Sequence, residues 1–348
     1  MRKRRSAWAR LTSQQPINAD LVGDGSPPPL PDLESVRPAH ALPTPRPPVR
    51  GWVRPALLAA AVAAVVATTM AVTHFGTSNE TAFTPPLLTF QPAAKQDAHT
   101  LLLGLAETAS RQPALSGQGA VHYSLARQWV FTSSRDHSGQ HLGSRLGEYK
   151  METWRNPDGT GRSLRAEQNP PPGSNPVVMD MPLRPSETTP TTSERSRPDQ
   201  ETLPPVGRAD ANSLRERLLA QDSNRTAGQW FEVAASIWGG RAGDPASAEA
   251  LLRILADQPD IKAEGTTEDR SGRRAIAIST DGVNGDSRFP EQRQYLLIDP
   301  QTGFFLAREQ VALAVSPTAG ETVQTPATIG YYLWLKAALV SDTTTRPE

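Results

Sequence analysis

Nineteen consecutive uncharged residues, 55–73 (PALLAAAVAAVVATTMAVT), constrain this chain more than any other feature. A helix of that length rises about 28 Å, close to the thickness of a bilayer's hydrocarbon core. Pro55 falls in the first turn, where a missing N–H costs little. Eight of the nineteen are Ala, so Leu57, Leu58, Val62, Val65, Val66, Met70 and Val72 supply most of the transfer energy. A buried core helix is disfavoured, because soluble helices rarely lack a polar face over five turns. A cleaved signal peptide is disfavoured by the 54-residue leader and by the loose small-residue pattern of VATTMA. The expectation is one uncleaved transmembrane helix over residues 55–75, with Trp52 and Phe75 at its two interfaces.

Charge orients that helix. Formal charge is zero over the whole chain, but residues 1–54 hold nine Lys/Arg against four Asp/Glu. Arg46, Arg50 and Arg54 stand directly before the span, and the positive-inside rule then places residues 1–54 in the cytoplasm and the rest outside a cell membrane. The leader has ten prolines and no sustained helical period, which predicts a disordered tail with polyproline II character. Such a tail suits a cytoplasmic regulator or, through Arg2–Arg5, anionic lipid, and equally a solvated segment that only sets topology.

Beyond a linker at 76–96, the pattern predicts an extracytoplasmic domain over 97–340. Residues 97–111 read as a helix capped by Asp97, with Leu101, Leu102, Leu105 and Ala109 on one face. Alternation from Ala120 through Trp129-Val130-Phe131 predicts a strand. Residues 146–155 and 162–168 flank the turn Asn156-Pro157-Asp158-Gly159-Thr160-Gly161, a hairpin signal. Residues 169–207 are rich in proline, Ser/Thr and acid, and are expected to be a disordered excursion. Helices are predicted over 212–221, 229–238 and 245–257, the last opened by Asp244-Pro245. Strands follow over 261–268, 274–280, 292–298, 304–313 and 327–335, and residues 341–348 are expected to fray. The fold class is therefore α+β, with a curved, mainly antiparallel sheet covered by helices.

The chemistry of the side chains excludes more than it suggests. The chain has no cysteine, so thiolate zinc sites, disulfides and cysteine nucleophiles are ruled out. His137 and His141 would make a metal pair on a helix, but Asp136-His137-Ser138-Gly139 reads as a loop, and no metal or cofactor is expected. Ser144 imitates a nucleophile elbow with the wrong spacing. Asp299 and Glu309 read as a turn-former and a solvated strand face. No phosphate-cradling glycine loop occurs, and the domain lacks the basic patch that nucleic acid requires. No catalytic set emerges, and a non-enzymatic protein is expected. Trp129, Phe131, Tyr331, Tyr332 and Trp334 are aromatic-rich strand positions that could line an apolar ligand face, with ordinary core packing as the alternative.

Five stretches carry a resemblance: Thr84-Pro85-Pro86-Leu87-Leu88, Leu214-Arg215-x-x-Leu218, the Leu251–Ala256 helix, Gly265-Thr266-Thr267-x-Asp269-Arg270-x-Gly272-Arg273, and Ile298-Asp299-Pro300-x-Thr302-Gly303. In this order they resemble an uncharacterised actinobacterial single-pass membrane family, often encoded beside extracytoplasmic-function sigma factors. The resemblance implies an anchored ectodomain of unassigned function without known catalytic residues. A weaker likeness is to the half-barrel domains of lipoprotein carriers and sigma-regulator sensors. The functional expectation is a membrane-anchored binding or sensor protein, linked to envelope-stress or sigma-factor regulation. The alternatives are an amphiphile-binding half-barrel and a structural interaction protein of the cell envelope.

Overall fold

A computed structural model describes residues 84–92, 97–135, 141–170, 173, 175–183, 206–207, 210–221, 224–283, 288–316 and 323–347. The tail at 1–54 and the expected span at 55–75 lie outside the described residues. Among the described residues no helix is long and apolar enough to cross a membrane.

The elements run α1 (Ala98–Ser110), β1 (Val121–Arg135), β2 (His141–Arg155), β3 (Gly161–Glu167), β4 (Val178–Leu183), α2 (Ala211–Gln221), α3 (Ala227–Arg241), α4 (Pro245–Ala256), β5 (Lys262–Glu268), β6 (Arg274–Val283), β7 (Glu291–Ile298), β8 (Phe305–Ala312) and β9 (Ala327–Val340). Among the described residues nine strands join one sheet in the order β4-β3-β2-β1-β9-β8-β7-β6-β5, and every neighbouring pair is antiparallel. Two hairpin meanders, β1–β4 and β5–β9, are thus sewn together where β1 meets β9.

Local chemistry sets the boundaries. Asp97 caps α1 by accepting from the Thr100 amide at 3.1 Å. Thr226 and Gln229 form a reciprocal capping box on α3. Pro245 opens α4, but the Asp244 side chain makes no cap bond there. It instead accepts from Arg241 at 3.1 Å and from the Ser247 hydroxyl at 2.5 Å, in a buried cluster. The turn aspartates behave as Asp does in turns. Asp158 accepts from the Thr160 amide, Asp269 from those of Ser271 and Arg273, and Asp299 from that of Gln301.

The helices cover one face of the sheet. Ala126, Ile278, Leu296, Ile298, Phe305 and Trp334 from the strands meet Trp230, Phe231, Ile237, Trp238, Leu251 and Leu252 from α3 and α4 in the main core. Strand alternation sends the intervening residues to the other face. There Ala275, Ala277, Tyr295, Leu297 and Leu333 form a second cluster, against which Leu88 and Phe90 pack. Residues 84–92 also close the β5 edge, since Gln91 and Thr266 exchange backbone hydrogen bonds of 2.8 and 3.0 Å.

Three expectations need correction. The excursion at 169–207 contains β4, which pairs with β3 from Ala166↔Val178 to Gly161↔Leu183. The run Val177-Val178-Met179-Asp180-Met181 has the β-branched and apolar content of a strand, masked by its prolines. Residues 341–347 do not fray: Asp342 accepts from the amides of Thr344 and Thr345 at 2.8 and 2.9 Å, tying the segment into a turn. Glu309 is not on a solvated face; it is 1% exposed, because the turn before β6 carries Arg270 over it.

Candidate functional site

Strand parity separates the five aromatic candidates. Tyr332 and Trp334 face the helices and join the main core. Trp129 stands opposite Tyr331 on the other face, their rings stacked at 5.5 Å and 15°. Phe131 meets Phe289 edge-on at 5.5 Å. The five therefore form two groups, one on each side of the sheet. Burial pushes the Tyr332 phenol up to about 12, and burial with the nearby Glu148 charge does the same to Tyr331.

Bulky side chains are buried beneath the helices. Trp238 is 1% exposed and donates from its indole to Phe305 O at 2.9 Å. Trp334 is buried with its Nε1 lacking a partner among the described residues. A cavity of about 370 Å³ lies instead at the rim, where the start of α1 meets the end of α4; Asp97, His99, Leu102 and Asp257 are among its lining residues.

His99 and His122, the two histidines whose side chains are described, each bond a backbone carbonyl. His99 Nδ1 donates to Ala256 O at 2.8 Å, and His122 Nε2 donates to Ala242 O at 2.9 Å. That bond leaves His122 Nδ1 as the unprotonated nitrogen, buried without a partner. Burial pushes the His122 imidazole below its ordinary value. His137 lies outside the described residues, and His141 begins β2. Among the described residues no three His, Cys, Asp or Glu side chains gather as metal ligands. Ser144 lies within β2, opposite Ser133, and not at a strand-to-helix elbow.

Two features remain that could contact another molecule. The first is the β4 edge, which no further strand covers among the described residues. Val177 is 47% exposed, Val178 60% and Met181 45%, so three of the five large apolar side chains exposed on the described surface sit together here. The Glu167 amide donates to Val177 O. The register then turns the backbone groups of Val178, Asp180 and Pro182 outward, where the missing N–H of Pro182 disturbs no bond to β3.

The second lies on β1 and β2, separated from β4 by β3, on the face away from the helices. Glu152 and Trp154 of β2 and Tyr123 of β1 are 3%, 0% and 2% exposed. Tyr123 donates its hydroxyl to Glu152 at 2.8 Å. Arg346 grips both carboxylate oxygens of Glu152 at 2.7 and 3.1 Å, and the Trp154 indole donates to Thr345 O at 2.6 Å. Burial alone would raise the Glu152 carboxyl, but the bonds from Arg346 and Tyr123 outweigh it and hold the group below its ordinary value. The guanidinium groups of Arg162 and Arg346 each lie 5.4 Å from the Trp154 ring centre. Arg162 is itself held by Asp180 of β4 at 2.8 and 2.7 Å.

Together the fold and these surfaces define an α+β domain built, among the described residues, on one nine-stranded antiparallel sheet with contact groups at a rim. No family model matches the chain, and no curated protein matches it. Solved structures give distant likenesses. The MucA/MucB complex of Pseudomonas aeruginosa is 12% identical, with a TM-score of 0.27 over 73% of this chain and 62% of that one. MucB bound to MucA(peri) is 12% identical, with a TM-score of 0.25 over 70% and 55%. A LolA superfamily protein of Nitrosomonas europaea is 9% identical, with a TM-score of 0.17 over 68% and 91%. The chain thus spans less than two thirds of the MucA/MucB chains it matches. Likenesses this distant carry no functional argument.

Proposed function

We propose that this chain is a non-enzymatic binding protein, anchored in a membrane by residues 55–75, whose extracytoplasmic domain docks an extended segment of a partner protein on the β4 edge. The observation that carries the reading is the edge itself: exposed Val177, Val178 and Met181 flank backbone groups of Val178 and Asp180 that have no strand to bond among the described residues. An incoming strand would gain main-chain hydrogen bonds there and bury apolar side chains, the β-augmentation mode of recognition. A second copy is a poor occupant. Two β4 edges paired about Asp180 would set two carboxylates opposite each other, and each Pro182 would withhold one ladder bond. The large side chains buried beneath the helices favour a protein partner over an amphiphile held inside the sheet. A role in envelope-stress or sigma-factor regulation fits such a docking module.

The test is a photo-crosslinking residue placed in cells at Val178, at Met181 or at Val283, the last being 84% exposed and away from β4. A discrete protein adduct is expected from the first two positions only. It should weaken when Val178→Pro removes an outward N–H. Equal labelling from all three sites, or adducts of lipid mass alone, would overturn the reading.

A further inference from the structure

The corner formed by Tyr123, Glu152 and Trp154 holds a peptide, and the peptide is the chain's own segment Asp342–Pro347. That segment is largely self-contained. Asp342 gathers the amides of Thr344 and Thr345, and with them the hydroxyls of Ser341, Thr344 and Thr345. Hydrogen bonds join it to the sheet at three points among the described residues, Arg346 on Glu152, Thr345 O on the Trp154 indole, and Pro347 O on Lys336 Nζ at 3.0 Å, and the Arg346 guanidinium lies over the Trp154 ring. The two sides of this contact differ in burial. Glu152, Trp154 and Tyr123 are almost wholly covered, whereas the Arg346 side chain remains 53% exposed.

Such a corner has the groups that recognise an arginine in an extended peptide. A carboxylate placed to take a guanidinium two-pronged supplies charge and direction. An indole N–H fixes a main-chain carbonyl one residue earlier, and an aromatic ring lies beside the cation. The carboxylate also accepts from Tyr123 and pairs with Lys150 at 3.4 Å, and the ring is backed by Arg162, so each group has partners on the sheet besides the segment. We infer that this corner is a binding site for an arginine-bearing extended segment of a partner protein, and that residues 342–347 occupy it in cis as an exchangeable latch. The inference stands apart from the β4 docking reading, since it rests on different residues and a different face of the strands.

The experiment uses the chain ended at Ser341 and a synthetic peptide of residues 342–348, with binding read by calorimetry and by tryptophan emission. The peptide should bind the shortened chain at one site and the intact chain at least tenfold more weakly, because the tethered segment competes at high effective concentration. A peptide carrying citrulline in place of Arg346 should bind about ten- to a hundredfold more weakly, the worth of a charged hydrogen-bond pair. Glu152→Gln in the shortened chain should cost the same. No binding by a folded shortened chain, or equal binding of the arginine and citrulline peptides, would overturn the proposal. Should the shortened chain not fold, the intact chain with Arg346→Ala replaces it. Its melting temperature should then rise with N-acetyl-arginine amide and not with the citrulline analogue, and no difference between the two would overturn the proposal equally.

Discussion

Removing Arg270 should destabilise the chain in a way that depends on pH. Glu309 is 1% exposed, and its partners are the Arg270 guanidinium, which contacts it through Nε at 3.0 Å and through a second nitrogen, and the Thr328 hydroxyl at 3.1 Å. In Arg270→Ala only Thr328 remains. An ionised carboxylate stranded there would cost about 3–5 kcal/mol. The alternative is to take up a proton, and the cheaper of the two routes sets the loss. From an ordinary value of 4.5, protonation costs about 3.4 kcal/mol at pH 7 and about 0.7 kcal/mol at pH 5, at 1.36 kcal/mol per unit.

Burial already pushes the Glu309 carboxyl up, against the opposing pull of Arg270, and the substitution removes that pull. A carboxyl raised by folding contributes its stability below its ordinary value and loses it as pH climbs through the folded value. The deficit of Arg270→Ala relative to the parent should therefore widen with pH, from under about 1 kcal/mol at pH 5 to at most about 3 kcal/mol at pH 7, since the parent carries part of the same penalty. Urea denaturation at the two pH values measures it. In Arg270→Ala/Glu309→Gln no proton is needed, whereas the parent still loses stability as pH climbs through its own raised Glu309 value. The deficit of the double variant should therefore not widen from pH 5 to pH 7 and should narrow instead. An Arg270→Ala deficit equal at both pH values would refute the reasoning.

Three further outcomes follow from the geometry. Gly303 has φ +70°, and a Cβ there would stand 2.4 Å from Leu105 O, whereas Gly272, with φ +80°, has nothing within 4 Å. Thermal denaturation should show Gly272→Ala costing only the left-handed backbone term, about 1–2 kcal/mol, with Gly303→Ala costing at least twice as much because α1 must move. His122 is held neutral by burial, with Arg241, Asp244 and Arg155 the charges around it. Its folded value is depressed, so the unfolded chain takes up a proton the fold refuses, and stability should fall as pH drops below about 6.5, by up to about 1.4 kcal/mol per unit. His122→Asn should flatten that part of the profile. Thr226→Ala removes one half of the α3 capping box and should cost about 1 kcal/mol in the same denaturation assay.

The elements were legible because their signals are local. Asp97, the Asp244-Pro245 pair and the hydrophobic spacing of α1 and α4 mark helices, and Asp at the Asn156, Asp269 and Asp299 turns marks hairpins. Strand order was not legible. The pairing of β1 with β9 joins residues about two hundred positions apart, and nothing in either segment names the other. Glu309 shows the same limit on the scale of one side chain. Its strand neighbours Arg308 and Gln310 are polar, so the stretch reads as solvated, and only the fold brings Arg270 within reach from the β5–β6 turn.

The candidate surfaces were less legible, for two separable reasons. One signal was present and can be read directly: Tyr331 and Tyr332 are adjacent in a strand, so a period of two sends them to opposite faces whatever the sheet does. Counting aromatics without that parity merges a core group with a group on the other face. The second reason is that a contact group has no pattern of its own. Glu152 and Trp154 sit at alternate positions of β2 and so share a face, but their shared partner is Arg346, almost two hundred residues away. What the sequence does carry is the turn that delivers it. Asp342 followed by Thr344 and Thr345 is the spacing at which an aspartate side chain accepts main-chain amides, and the same spacing at Asp158-Thr160 makes the β2–β3 turn. The segment after β9 has no strand or helix period and so reads as frayed, whereas its side chains encode a bend that returns Arg346 to the sheet.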